Sequence, residues 1–184
     1  MSEFEKYKYV DTLSKSNKIK RLIWNTVWLF FFRPTPRWAL NKWRIFLLKL
    51  FGSKIGEGCR VLPSCKIWAP WNLTMGGHSI LGDDVDCYTM DKVIIGNHVT
   101  VSQRTFLCTG SHDIRSYRKP LVTAPIVIED FVWICAECFI GPNVTVKHSA
   151  IVATRSVVLK DVEKFHVVGG NPSKFIKLRE VQGG

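Results

Sequence analysis

One histidine in this chain of 184 residues stands where a proton could be moved. His112 closes the run Leu107-Cys108-Thr109-Gly110-Ser111-His112 and directly precedes residues 113–125, DIRSYRKPLVTAP. An imidazole can take a proton at neutral pH. At the edge of a rigid surface, beside a loop, it suits general-base attack by a hydroxyl; the plain alternative is an exposed corner histidine. Arg115, Arg118 and Lys119 in that loop are either an attraction for an acidic acceptor such as a uronate or simply solvated charge. His78, His98, His148 and His166 show no H-x-x-x-x-H spacing and no carboxylate-rich cluster, so the first three read as solvated turn residues and no metal site is expected. Cys135 and Cys138 spell C-x-x-C, which without a second pair is weak evidence for zinc or redox chemistry.

The elements that position these residues are written in a repeat of six. Ile128, Ile134, Ile140, Val146, Val152 and Val158 are aliphatic. Four residues after each stands a small or β-branched one: Val132, Cys138, Val144, Ala150, Ser156 and Val162. Period six fits neither a helix nor a single strand and predicts a parallel β-helix of short flat rungs. The register continues backwards in three series: Ile55, Val61, Ile67, Leu73; then Met75, Leu81, Cys87, Val93; then Ile95, Val101, Leu107. Trp71 breaks the small-slot rule, and Ser111 is expected in that slot, which would turn His112 outward by alternation. Residues 113–125 break the phase and read as an excursion loop, the place where a regular scaffold carries function. Cys59, Cys65 and Cys138 fall in small inward slots and Cys87 in an aliphatic one, as free thiols acting as small hydrophobes. Reduced thiols suit a cytoplasmic protein.

Charge is uneven. The chain carries +11, but residues 1–54 hold 12 Lys and Arg against 3 Asp and Glu, and residues 55–184 hold 14 against 12. This divides the chain into a basic helical extension (1–54), a β-helix (55–168) and a C-terminal turn and short helix (169–184). The extension also holds Trp24, Trp28, Trp38 and Trp43. Two uses compete: packing on the coil or a neighbouring subunit, or lying on an anionic membrane as a basic, aromatic surface. No spanning helix, signal peptide or nucleic-acid motif is evident.

The stretch LCTGSHD (107–113), the loop after it, the six-rung run with Trp133, and GNPSKFIK (170–177) together resemble the hexapeptide-repeat acyltransferases. The resemblance is nearest to the colanic-acid-biosynthesis acetyltransferases, related to maltose, galactoside and nodulation O-acetyltransferases, and covers residues 50–180. It implies an all-β, left-handed coil, a homotrimer, and acetyl-CoA as co-substrate in the groove between subunits, with no metal required. His112 matches the family's catalytic base. Trp133 matches the groove tryptophan, and Ala136 and Thr154 match backbone beside the pantetheine arm, with Leu159 and Lys160 following. Gly170 and Asn171 match the closing turn, and Lys174 and Lys177 match basic positions near the adenosine phosphates. Where many relatives carry an acceptor-contacting asparagine, the nearest residues here are Asp86, Tyr88 and Thr89, of which Asp86 and Tyr88 are taken as candidates. With Arg115 they are the expected acceptor contacts.

The resemblance implies an O-acetyltransferase acting on a sugar hydroxyl in surface-polysaccharide assembly, with a sugar or lipid-linked saccharide as acceptor. Three rivals remain open on the sequence: a non-catalytic trimeric scaffold or sugar-binding module, an inter-subunit zinc enzyme, and acylation of another small-molecule acceptor.

Overall fold

The computed structural model describes residues 7–8 and 13–181. Most of residues 1–10, on which the signal-peptide expectation rests, lie outside the described residues, as do 182–184. Parallel two- and three-residue strands stack into three faces. The first face holds Lys54–Ile55, Leu73–Met75, Val93–Ile95, Ile126–Ile128 and Thr145–Val146; the third holds Lys66–Ile67, Asp86–Tyr88, Phe106–Cys108, Phe139–Ile140 and Val157–Val158. The second runs from Arg60–Val61 through Trp133–Ile134 to His166–Gly169. Ile55, Met75, Ile95, Ile128 and Val146 lie in register down one column and are all buried.

The shifts of two in the sequence register have a structural cause. From Ile128 to Val146 a coil takes three hexads. The first two coils have longer corners between the third and first faces, including a 3₁₀ turn at Pro70–Asn72. Trp71 therefore sits in a corner beside Gly52 and occupies no rung slot. Leu73, Val93 and Ile126 become an extra inward column. At each of two corners the residue before the small slot is left-handed: His78, His98 and Phe131 at one, Asp84, Arg104, Glu137 and Arg155 at the next. Repetition stacks these side chains. The His78, His98 and Phe131 rings stack at 5.0 Å spacing, so these histidines form a ladder instead of standing singly in solvent. Glu137 pairs with both Arg104 and Arg155.

Helices α1 (Lys15–Val27) and α2 (Asn41–Leu50) cap the first coil. An open solenoid end leaves backbone groups without partners, and the extension supplies them. Trp24 and Trp28 donate indole N–H to the carbonyls of Ile67 and Cys65, at 2.6 and 2.8 Å. Asn41 bonds both Cys59 O and Val61 N. Arg44, 1 % exposed, donates to Val61 O, Ala39 O, Pro36 O and Thr35 Oγ1. The packing use of the extension is thus realised, yet its outer side keeps Leu22, Phe30 and Trp38 at 67, 65 and 88 % exposure. Among the described residues no helix is long and apolar enough to cross a membrane.

At the other end the described residues form no C-terminal helix, contrary to expectation. Lys174–Leu178 is a strand, antiparallel to His166–Gly169. Five residues cannot nucleate a stable helix alone, whereas the edge of His166–Gly169 offers a ready template once the turn at Gly170 reverses the chain.

Candidate active site

Residues 113–125 are not a free loop from a rung end. The coil is left at Thr109, which is fully buried and whose hydroxyl donates to Tyr88 O at 2.7 Å. Gly110–His112 then pairs antiparallel with Leu121–Thr123, making a hairpin with its tip at 113–120. Ser111 consequently points to solvent and not into the coil. His112 is exposed because the hairpin projects, not because a rung alternates. Its Nδ1 lies 2.6 Å from the backbone carbonyl of Lys119. A carbonyl only accepts, so Nδ1 carries the hydrogen and, in the neutral ring, Nε2 carries the lone pair. That is the tautomer a general base needs.

Tyr88 reaches the root of this hairpin. A Cβ on Gly110 would meet Met90 Sδ at 2.8 Å and Tyr88 Cε1 at 3.1 Å, so the close approach depends on glycine. Tyr88 and Asp86 line a groove of about 430 Å³ with Trp24, Asn25, Trp28, Leu29, Lys66, Ile67 and Trp68. Burial pushes the Asp86 carboxyl up, against the opposing pull of Lys66 on the neighbouring rung. The walls are mostly apolar, four of the nine lining residues being aromatic, with a few polar groups, the usual make-up of a small-molecule site. Asp86 and Tyr88, the expected acceptor contacts, both lie in this groove, while Trp24, Asn25 and Trp28 beside them were not singled out for it from the sequence. Their only signal was the aromatic content of the extension. Trp68 packs against Arg21 of α1, while its ring also walls the groove. Arg115 is less available than its type suggests: its guanidinium is tied to Asp113 at 3.1 Å, which holds that carboxyl low.

The other expected residues gather elsewhere. Trp133 stands on the second face between Thr100 and Ile151, 46 % exposed, with Nε1 bonded to Ser102 Oγ at 3.0 Å. Ala136, Thr154 and Gly170 follow on successive coils at the corner between second and third faces. The Ala136 carbonyl accepts from Arg155 N, while Gly170 N donates to Ser156 Oγ and Gly170 O accepts from Val157 N. Asn171 continues that turn. Leu159 and Lys160 do not share this corner: they follow Val157–Val158 at the far end of the rung, with Leu159 over Gly141. Lys174 and Lys177 are exposed on the terminal strand. Arg155 is engaged by Glu137 at 2.5 Å. Within one chain, then, His112 leaves from the third face while Trp133 belongs to the second.

All six cysteines are free. Cys138 is buried and Cys135 half-buried, and neither is disulfide-bonded. Among the described residues no group of three or more His, Cys, Asp or Glu is placed to hold a metal.

The described residues form a three-faced parallel β-helix of six-residue rungs, with an oriented imidazole on a projecting hairpin. The chain is 41% identical over 163 residues, 89% of each chain, to WcaF of Escherichia coli (strain K12), named as a colanic acid biosynthesis acetyltransferase. Its fold matches a hexapeptide-repeat acetyltransferase of Vibrio cholerae, solved with acetyl coenzyme A, at TM-score 0.82 and 27% identity over 98% of this chain and 100% of that one. A maltose O-acetyltransferase of Clostridium difficile shares the fold at TM-score 0.83 and 23% identity, covering 98% and 99%. No family model matches. On the WcaF likeness, the chain belongs to the hexapeptide-repeat acetyltransferases.

Proposed function

We propose that this protein moves an acetyl group from acetyl-CoA to a sugar hydroxyl in the cytoplasm, during surface-polysaccharide biosynthesis. The observation that carries this is the Nδ1 contact of His112 with Lys119 O. His112 Nε2 takes the proton of the acceptor hydroxyl as that oxygen attacks the thioester carbonyl, and the proton leaves with the CoA sulfur. Such general-base help is worth about 10²–10⁴ in rate. Trp133 and the accessible residues Ala136, Thr154, Gly170 and Asn171 fit an extended thioester arm. Lys174 and Lys177, both exposed, suit its phosphates as point charges. Leu159 and Lys160 are assigned to the same co-substrate from the neighbouring corner, and Asp86 and Tyr88 to the acceptor. Arg115 serves at the hairpin tip, as an ion pair with Asp113.

The separation of His112 from Trp133 within one chain supports a site completed by a neighbouring subunit, and so a homotrimer. Ile114 and Tyr117, at the hairpin tip, are 94 and 84 % exposed, as expected of a segment that packs on another copy. The exposed side of the extension combines apolar residues with its basic surplus, which supports peripheral contact with an anionic membrane carrying a lipid-linked acceptor. Vesicle flotation tests that part. Binding to phosphatidylglycerol vesicles and not to phosphatidylcholine vesicles, lost on Phe30→Ser with Trp38→Ser, is expected; equal failure with both lipids overturns it.

The enzyme assay compares wild type with His112→Ala for acetyl-CoA binding and for CoA release in the presence of p-nitrophenyl glycosides. Binding by both and acceptor-stimulated release by wild type alone is expected. Equal release, or no acetyl-CoA binding by either, overturns the reading.

A further inference from the structure

Helix α1 holds two polar side-chain atoms buried and without a hydrogen-bond partner: Arg21 Nε and Asn17 Oδ1. Spaced by four residues, they share one helix face. The Arg21 guanidinium carbon lies 3.7 Å from the centroid of the Trp68 ring. Trp68 in turn packs edge-on against Tyr88 at 5.7 Å, and Tyr88 touches the root of the His112 hairpin. An indole face steadies a cation but accepts none of its N–H bonds. Buried donors and acceptors are normally paired, and a guanidinium is the side chain best shaped for carboxylate or phosphate. Burial also disfavours its charge, as the lowered proton affinity of Arg21 reflects. Lys66 and Asp86, on adjacent rungs at the groove wall, offset one another in charge. Arg21, stacked on Trp68, therefore adds a positive charge beside this wall of the groove.

We infer that Arg21 receives an anionic oxygen of the acceptor and Asn17 Oδ1 one of its hydroxyls, so that the enzyme selects an acidic saccharide. The inference rests on the sugar-acetyltransferase reading and names its substrate class. Carboxylate and phosphate share the recognising chemistry: a uronate would bring the first, a glycosyl phosphate the second.

Binding, measured by tryptophan fluorescence on the full chain, tests it apart from turnover. The probes are methyl β-D-glucuronide, glucose 1-phosphate and methyl β-D-glucoside. At least one anionic probe should bind about tenfold or more tightly than the neutral glucoside, a margin typical of one charge-assisted contact; whichever does so identifies the source. Arg21→Gln should remove that preference, and Asn17→Asp, which sets a carboxylate beside Arg21, should do the same. Both variants should keep the wild-type circular dichroism and acetyl-CoA affinity. Equal binding of the three probes, binding of none, or a preference that survives in a folded variant overturns the proposal. If Arg21→Gln unfolds, Asn17→Asp decides. Failure of the acetyltransferase reading shows differently, as no acetyl-CoA consumption by wild type whatever the sugars do.

Discussion

His112 Nδ1 and the carbonyl oxygen of Lys119 face each other at 2.6 Å across the hairpin that both residues help to close. The bond sets the ring's tautomer and its direction together. In ¹⁵N-labelled protein, the neutral His112 ring should show a protonated Nδ1 and an unprotonated Nε2. His112→Ala should lower kcat by about 10²–10⁴ and leave acetyl-CoA affinity within twofold. A protonated Nε2 in the neutral ring would contradict the assignment of the base.

Gly110→Ala should disturb the same site without touching the base. The new methyl must displace Met90 Sδ and the Tyr88 ring, at 2.8 and 3.1 Å. Met90 can move, but Tyr88 is wedged between Trp68 and Phe106. The hairpin is therefore expected to shift. A displacement on the order of 1 Å can cost about 10² in kcat, with unchanged melting temperature because the hairpin lies outside the coil. Wild-type turnover in this variant would mean that Tyr88 is not tied to His112.

These two arguments mark where the sequence was legible and where it was not. The hexads announce the coil because each rung repeats one inward aliphatic and one small residue, a local rule with no tertiary alternative. His112 was singled out by type and place, but its partner is a backbone carbonyl, which side-chain chemistry cannot reveal. Ser111 was misplaced because the hairpin starts at Thr109, and β-pairing between Gly110–His112 and Leu121–Thr123 overrode the phase of six. The same cause defeated the C-terminal helix: an open strand edge decided the conformation of residues 174–178. The groove escaped notice because Trp24 and Trp28 come from an extension whose contacts with the coil are long-range.

Trp133 offers a separation of binding from stability. Its ring is half exposed, and only Ser102 holds the indole nitrogen. Trp133→Leu should weaken acetyl-CoA binding by about tenfold, the scale of one lost aromatic contact. Its melting temperature should match wild type within a degree or two, as for most exposed substitutions. Calorimetric titration checks the first and thermal denaturation the second; unchanged affinity would remove Trp133 from the site.

Arg44 makes the opposite case, a charged residue whose function is the fold. It is 1 % exposed and donates to three backbone carbonyls and one hydroxyl. Arg44→Met fills similar space but leaves those acceptors unpaired, at about 1–3 kcal/mol for each one that water cannot reach. A loss of about 3–5 kcal/mol in denaturant unfolding is expected. If the variant unfolds at the wild-type midpoint, the helices are not the cap that protects the first coil.

Glu137 gives a pH test whose sign can be worked out. Its hydrogen bond to Arg155, aided by Arg104, holds the carboxyl below its usual value. A depressed folded pKa means that the unfolded chain binds the proton more readily. The stabilisation is complete above the unfolded carboxyl's pKa and is lost as pH falls through the folded one. Glu137→Gln should therefore melt below wild type at neutral pH. The two curves should converge in acid once Glu137 is protonated in the folded wild type. Because the pair is exposed to solvent, added salt should also narrow the neutral-pH gap. A gap that stays constant from neutral pH into acid would show that Glu137 contributes packing and not charge, and the ladder of Arg104, Glu137 and Arg155 would lose its electrostatic role.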